Sequence, residues 1–293
     1  MATRAAWRHR LAERGVDREV LLLVPAAVFV LVLFIYPFAY GVGLSLQPEQ
    51  GGGMFSDYQK FFSDPYQRDT IWTTLKLSLP AALVNFLASV PIAYRMRGRF
   101  RGKRLMTTIL VVPITLGTVL TAQGLLNFLG PAGWFNKILA GLGVDEPVRL
   151  TGNYWGVFFS LVITGFPFAF LLIQSYLSGI DPTLEQAAAT LGADWKARFR
   201  HITLPLLAPG LATTFCLAFV LAFSVFPSAV LVGNPAGETH VLAIAAYQAQ
   251  YERYDYSQGS AIAMVMGAVE LIVIAVVLLL RSRLYTGSTG GKG

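Results

Sequence analysis

Apolar residues in this chain come in long blocks separated by short polar stretches. The blocks 20–40, 71–94, 105–128, 154–176, 206–232 and 260–280 each approach or exceed the ~20 residues that a helix needs to cross ~30 Å of hydrocarbon. The pattern predicts six membrane spans and an all-α fold. Pro25 and Pro37 fall in the first block, where the second is expected to kink the helix near its outer end. Gly130 and Pro131 close the third block, and the apolar stretch after them is expected to lie in the interface or dip back. Tyr247, Tyr251, Tyr254 and Tyr256, between blocks five and six, suit the headgroup level.

Composition agrees with this pattern and charge orients it. Of 293 residues, 55% are hydrophobic and 13% charged, where soluble domains carry about a quarter charged residues. The net charge of +7 raises nucleic acid as a partner, but its placement argues against that. Of the 23 basic residues, 17 fall before span one, between spans two and three, between spans four and five, or after span six. By the positive-inside rule both termini are cytoplasmic. The chain therefore divides into a basic N-terminal segment, 1–19, a six-span domain, 20–284, and a flexible cytoplasmic tail, 285–293. The first segment, with Trp7, Leu11 and Val20 among arginines, is expected along the inner membrane surface, with disorder as the alternative. The first block is too long for a signal-peptide core and reads as an uncleaved anchor.

No catalytic or metal constellation emerges. His9, His201 and His240 are split between membrane faces, and Cys216 is the sole cysteine. Residues 287–293 have the composition of a phosphate loop but lack a Ser or Thr after Lys292. The chain is expected to be no enzyme and to hold no cofactor, its energy coming from a partner.

The most informative stretch is 181–205, on the cytoplasmic side between spans four and five. Asp181 and Pro182 suit an N-cap and first helical position, and Ala187, Ala188 and Ala189 are strong helix formers with almost no side chain. Gly192 is expected to break that helix and Asp194 to cap a second. On the second piece Trp195, Phe199 and Ile202 share one face and Lys196 and Arg200 another, with Pro205 expected to stop it where span five begins. An ordinary amphipathic helix resting on the membrane fits these residue types equally well.

The spacing resembles the signature loop of permeases in binding-protein-dependent (type I, MetI-like) ABC importers: E-A-A, a glycine four residues past the second alanine, then I-x-L-P. Ala187, Ala188, Gly192, Ile202, Leu204 and Pro205 match, whereas Gln186 stands in the glutamate position with Glu185 just before it. The resemblance implies a polytopic permease whose loop is a coupling helix seated on a partner ATPase, through Glu185, Gln186, Ala187, Ala188, Gly192, Ala193, Trp195, Ile202, Leu204 and Pro205. A charged contact of the motif glutamate with the ATPase would here weaken or pass to Glu185. It implies a bacterial plasma-membrane complex of two permeases, ATPase subunits that bind ATP and Mg, and an extracytoplasmic solute-binding protein. Within the family, 129–136 resembles the G-x-x-G-x-x-N outer loop of the polyamine (spermidine/putrescine) branch, which includes aminophosphonate-type systems, and 255–261 its D-W-P-x-G-A-A approach to the last span. Against polyamines, the stretch 223–226 with Ser224 has no acid where related permeases often place one. Import of a sugar, a ferric complex or another anion is the alternative.

Glu270 is the acid nearest the middle of a span, where an ionised side chain is costly unless paired or wetted. It lies one turn past a small-residue stripe, Gly259, Ala263 and Gly267, suited to close helix packing. It reads as a cation-facing pathway residue or as a structural carboxyl paired with Asn85 or Gln123; Asn85, Gln123 and Ser224 are further pathway candidates. A proton- or sodium-coupled transporter using Glu270 would leave the cytoplasmic signature unexplained, and an intramembrane enzyme would have only Glu270 and Lys76 as charged candidates.

Overall fold

The structure is a computed structural model that describes residues 18–49, 51–98, 102–144 and 146–284. The N-terminal segment through 17 and the tail from 285 lie outside the described residues, and with them the readings made of both. Everything described is helical or irregular, with no strand among the described residues.

Six helices are long and apolar enough to span: Leu22–Ser45, Pro65–Met96, Lys103–Gly141, Tyr154–Ser178, Trp195–Phe223 and Tyr256–Ser282. Spans two, four and five form the packed centre, with Leu77, Phe170, Ile173 and Phe219 fully enclosed. The most apolar window of span one buries nothing; only its outer end, Tyr36–Ser45, packs against span six. There the Tyr58 hydroxyl donates to Ser45 Oγ at 2.8 Å, and the buried Asp57 carboxylate takes Ser257 Oγ at 2.5 Å and Lys60 Nζ at 2.9 Å.

A π-helical turn precedes each of the two prolines expected to kink or stop a helix, and Pro205 does not stop its own. A π-helical turn, Leu31–Ile35, precedes Pro37, and another, Phe199–Thr203, precedes Pro205. In a regular helix each proline ring would meet the carbonyl four residues back and leave it without a donor. In the wider turn the last donor reaches one residue further, Tyr36 N to Leu31 O and Leu204 N to Phe199 O. The shifted register then ends at the position that has no N–H to offer. Span five is consequently continuous with the loop piece before it and begins at Trp195 instead of at Pro205.

Two other spans are less continuous than their hydrophobicity implies. Gly117, at φ 72 and ψ 174, interrupts span three in a region of backbone space that is essentially glycine's alone. Span five ends at Phe223, not Val232; Ser224 to Phe226 are non-helical, and a short helix, Pro227–Leu231, follows. Thr121 Oγ1 donates to the freed Gly117 carbonyl at 2.7 Å, which meets the demand that backbone polar groups at membrane depth be satisfied within the protein.

The outer loops are built parts. After span three, the Asn136 amide donates to Gly130 O and Val148 O at 3.0 and 3.1 Å and accepts from Val148 N at 2.8 Å. A Cβ on Gly133 would lie 2.3 Å from Phe128 O. A short helix, Trp134–Gly141, covers the apolar stretch that follows. After span five, the helix Leu242–Tyr247 turns back into the bundle, and its Leu242 amide donates to the buried Thr74 Oγ1 of span two at 2.9 Å. His240 is buried there, stacked on Tyr66 at 4.4 Å, its Nε2 3.1 Å from Gln248 Oε1. Burial pushes its pKa down, against the Gln248 hydrogen bond, and nearby Arg253 adds to the lowering.

Two outcomes follow from these features. Gly117→Ala should destabilise the detergent-solubilised protein by about 1–3 kcal/mol, whereas Gly124→Ala in the same span, where a Cβ meets nothing within 4 Å, should be neutral or slightly stabilising in a thermal melt. His240 stays neutral in the folded loop, while the opened loop takes up a proton near the ordinary value of 6.5. Loop stability should therefore fall as pH drops through 6.5 and level off only below the depressed folded value. Amide exchange over 233–252 should accelerate across that window in the wild type and lose the dependence in His240→Phe.

Candidate functional site

Two places bring the sequence-predicted residues together: the inner-face loop and a cavity at the interrupted helices. In the loop, the helix Pro182–Thr190 is capped at both ends as the sequence predicts. Asp181 Oδ1 accepts from Thr183 N at 2.9 Å, a bond that holds this carboxyl below its usual range. At the other end Gly192, at φ +85, allows Gly192 N to reach Ala189 O and Ala193 N to reach Ala188 O, both at 3.0 Å. That pair of bonds is the glycine-dependent stop of a Schellman motif. Asp194 Oδ1 then accepts from Ala197 N at 2.8 Å and starts the next piece.

The loop helix is fastened through Glu185. Its Oε1 accepts from Arg97 Nη1 at 2.7 Å and from Thr203 Oγ1 at 2.5 Å, and its Oε2 faces the Tyr94 hydroxyl at 3.4 Å. Arg97 Nη2 also donates to the Ile180 carbonyl at the end of span four. Tyr94 in turn meets the Phe199 ring edge-on at 4.9 Å. One shielded ion pair thus joins the inner ends of spans two, four and five to the loop helix. The Glu185 carboxylate is engaged inside the chain.

The outward face carries Gln186, Ala187, Ala189, Leu184, Trp195 and Leu191, the last 88% exposed. Of the three residues expected to share a face, Phe199 and Ile202 are half-buried and Trp195 is mostly exposed. Arg97, Tyr94 and Thr203 were not singled out as site residues from the sequence. Arg97 lies in a run of arginines that reads as a topology signal, and nothing in the sequence spacing ties it to Glu185. Leu184 and Leu191 were also missed, although exposed leucines flanking an alanine run on a polar loop are a readable sign.

The second place lies where the breaks of spans three and five face each other. A cavity of about 110 Å³ is lined by Asn85, Thr118, Thr164, Gly165, Ser224 and Ser228 among others. Asn85 is 1% exposed; its Nδ2 donates to Leu161 O at 3.1 Å, and its Oδ1 has no protein partner. A Cβ on Gly165 would lie 2.4 Å from that Nδ2, so the glycine makes room for the amide.

Asn85 and Ser224 therefore share one site, while Gln123 is exposed on span three and Glu270 lies on span six outside this cavity. The expected pairing of Glu270 with Asn85 or Gln123 does not form among the described residues: Asn85 donates to Leu161 O at the cavity, away from Glu270. The small-residue stripe packs only at Gly259, where a Cβ would meet Gln250; Gly267 faces open space and Ala263 is exposed.

Six helical spans with two of them broken at one central cavity define a polytopic membrane permease. The chain belongs to the family described as binding-protein-dependent transport system inner membrane components, whose sequence model matches residues 5–286. It is 31% identical over 203 residues, 69% of this chain and 78% of the relative, to a probable sulfate transport system permease protein of Prototheca wickerhamii. It is 29% identical over 268 residues, 87% and 90% of the two chains, to the trehalose/maltose transport system permease protein MalF of Thermococcus litoralis. The fold matches a solved bacterial ABC transporter involved in import of the acidic polysaccharide alginate, with TM-score 0.79, 22% identity and 93% and 98% of the two chains covered.

These relatives give the polyamine branch no support, and the structure supplies the reason. Gly130, Gly133 and Asn136 build a loop, Asp255 Oδ1 caps span six by accepting from Gln258 N at 2.9 Å, and Gly259 admits Gln250. In the two motifs behind that branch these residues serve loop closure and helix capping.

Arg97→Ala should free the loop helix without unfolding the bundle. Loss of charge-assisted bonds worth about 1–3 kcal/mol should raise amide exchange over Pro182–Thr190 roughly tenfold or more, while exchange in span four stays unchanged.

Proposed function

We propose that this chain is a permease subunit of an ABC importer in a bacterial plasma membrane, and that the loop 182–205 is where a partner ATPase drives it. The observation that carries this reading is mechanical. The outward face of the loop helix presents small and apolar side chains, its inner face is tied by Glu185 to Arg97 and Thr203, and Trp195 onward runs unbroken into span five.

A pull on the helix is therefore delivered to spans two, four and five together, and span five ends at the central cavity. Ala187, Ala188 and Gly192 leave the docking surface low, Ala193 and Asp194 set the turn, and Ile202, Leu204 and Pro205 lie on the lever. Gln186, exposed, replaces a charge in the contact with a neutral amide. ATP and Mg belong to the ATPase in this reading, and the solute arrives from an extracytoplasmic binding protein.

The unburied windows of span one and much of span three suit lipid and a second permease chain, which completes the pathway. The solute is a small oxygen-rich molecule, as the names of the sulfate and sugar relatives support, with Asn85 and Ser224 in its path. Glu270, half-buried beside no ion-pair partner among the described residues, serves as a structural carboxyl.

The test is an assembly of this chain with its ATPase, second permease and binding protein in proteoliposomes. Leu191→Asp alters only an exposed side chain, and it should leave insertion intact while reducing ATP-driven uptake at least tenfold; Gln186→Glu should be tolerated. Normal uptake with Leu191→Asp would rule out this face as the docking surface.

A further inference from the structure

We infer that the cavity at the two helix breaks selects a neutral, hydroxyl-rich solute over a tetrahedral oxyanion or a polyamine. This rests on the permease reading above and deepens it to a substrate class.

The inference starts from a single unsatisfied atom. Asn85 is almost completely buried and its Nδ2 is committed to Leu161 O, which fixes the amide beside the cavity and leaves Oδ1 an enclosed acceptor with no partner among the described residues. Gly165 keeps the amide in place, since any side chain there would collide with it. A buried acceptor left unpaired is costly, so whatever occupies the cavity is favoured if it brings a donor.

The neighbouring hydroxyls sharpen this. Thr164 Oγ1 already donates to Ser160 O at 2.8 Å and so offers lone pairs. Ser228 Oγ accepts from Ser160 Oγ at 2.8 Å and keeps its own hydrogen to donate. Ser224, at the break, is exposed; its backbone N–H donates to Val220 O at 3.1 Å, and its hydroxyl bonds to no other described residue. The wall therefore presents acceptors and donors side by side, the complement of an alcohol group, which is both.

The two charged solute classes fit less well. A sulfate-like ion has only acceptors and would face the lone pairs of Thr164 Oγ1 with like polarity. A polyamine would bring donors, but no carboxylate lines the cavity to balance its charge at membrane depth. The size also suits an alcohol group. About 110 Å³ is several times what one water requires, and smaller than a ligand pocket of ~300 Å³. It accepts one hydroxyl-bearing edge of a solute, with the rest lying toward the second permease.

A second observation points the same way. Phe226, between the lining residues Val225 and Pro227, continues into a file of rings, with Tyr247 at 5.0 Å and Tyr251 a further 5.1 Å on. Tyr247 and Tyr251 are exposed. Ring faces with phenol tips suit a solute that has apolar C–H faces and hydroxyl edges.

The decisive experiment uses the complete assembly in proteoliposomes, with radiolabelled trehalose, maltose, sulfate and spermidine offered separately. ATP-dependent uptake of a disaccharide is expected. Asn85→Ala and Ser224→Ala should each lower it about tenfold, the effect of one lost hydrogen bond to the solute. Ser224→Ala, at an exposed position, keeps the comparison valid if Asn85→Ala fails to insert. Uptake of sulfate or spermidine alone, or of none of the four, would overturn the substrate class and leave the ATP-driven importer standing. Disaccharide uptake indifferent to both substitutions would remove the cavity from the path. Disaccharide uptake that needs no ATP but is lost in both variants would keep the cavity and reject the importer reading.

Discussion

The ion pair between Arg97 and Glu185 is the interaction on which the inner half of this molecule depends. Arg97 ends span two, reaches the last carbonyl of span four and holds a carboxylate that also takes the hydroxyl of Thr203 from the start of span five. Both partners are largely shielded from water, so removing one strands the other in a poorly solvated place. Small movements of the loop helix are therefore shared by three spans. A hydrophobic contact of the same area would allow sliding, whereas two charged groups with fixed hydrogen-bond directions allow little.

At the other end of that lever the constraint is the backbone. Interrupting a helix in a membrane exposes peptide groups that lipid cannot satisfy. This chain does it twice, at Gly117 and at Ser224 to Phe226, and places the two breaks against each other. Side-chain hydroxyls take up part of the deficit, and the cavity contains the rest. Broken helices alone do not separate an ATP-driven importer from an ion-coupled transporter; family membership does.

The long-range plan was legible in the residues, and the local exceptions were not. Hydrophobic length located all six spans, and Asp181, Gly192 and Asp194 fixed the loop helices through capping chemistry that depends on neighbours in sequence. The turns before Pro37 and Pro205 were invisible because they resolve a clash that sequence reasoning can only treat as a break. The isolation of Glu270 was equally hidden, since a carboxyl's partners lie on other spans and no spacing rule reaches them. The resemblance of 129–136 and 255–261 to one branch misled about substrate because Gly, Asn and Asp at those positions serve loop closure and helix capping. Asn85 reads from the sequence as a pathway candidate or a partner for an acid; in the fold, half of its amide has no partner among the described residues.

The widened turn at Phe199–Thr203 also has a meaning in residue count. A π-turn is a helix carrying one residue more than its length requires, and each residue of a helix turns the chain by about 100° and advances it by about 1.5 Å. Spans two, four and five fix the orientation of Leu204 onward, so the extra residue sets the compass direction in which Trp195 and the docking helix point. A chain shortened by one residue between Phe199 and Thr203 would keep every span, yet turn the loop helix about a quarter-turn away from its present direction.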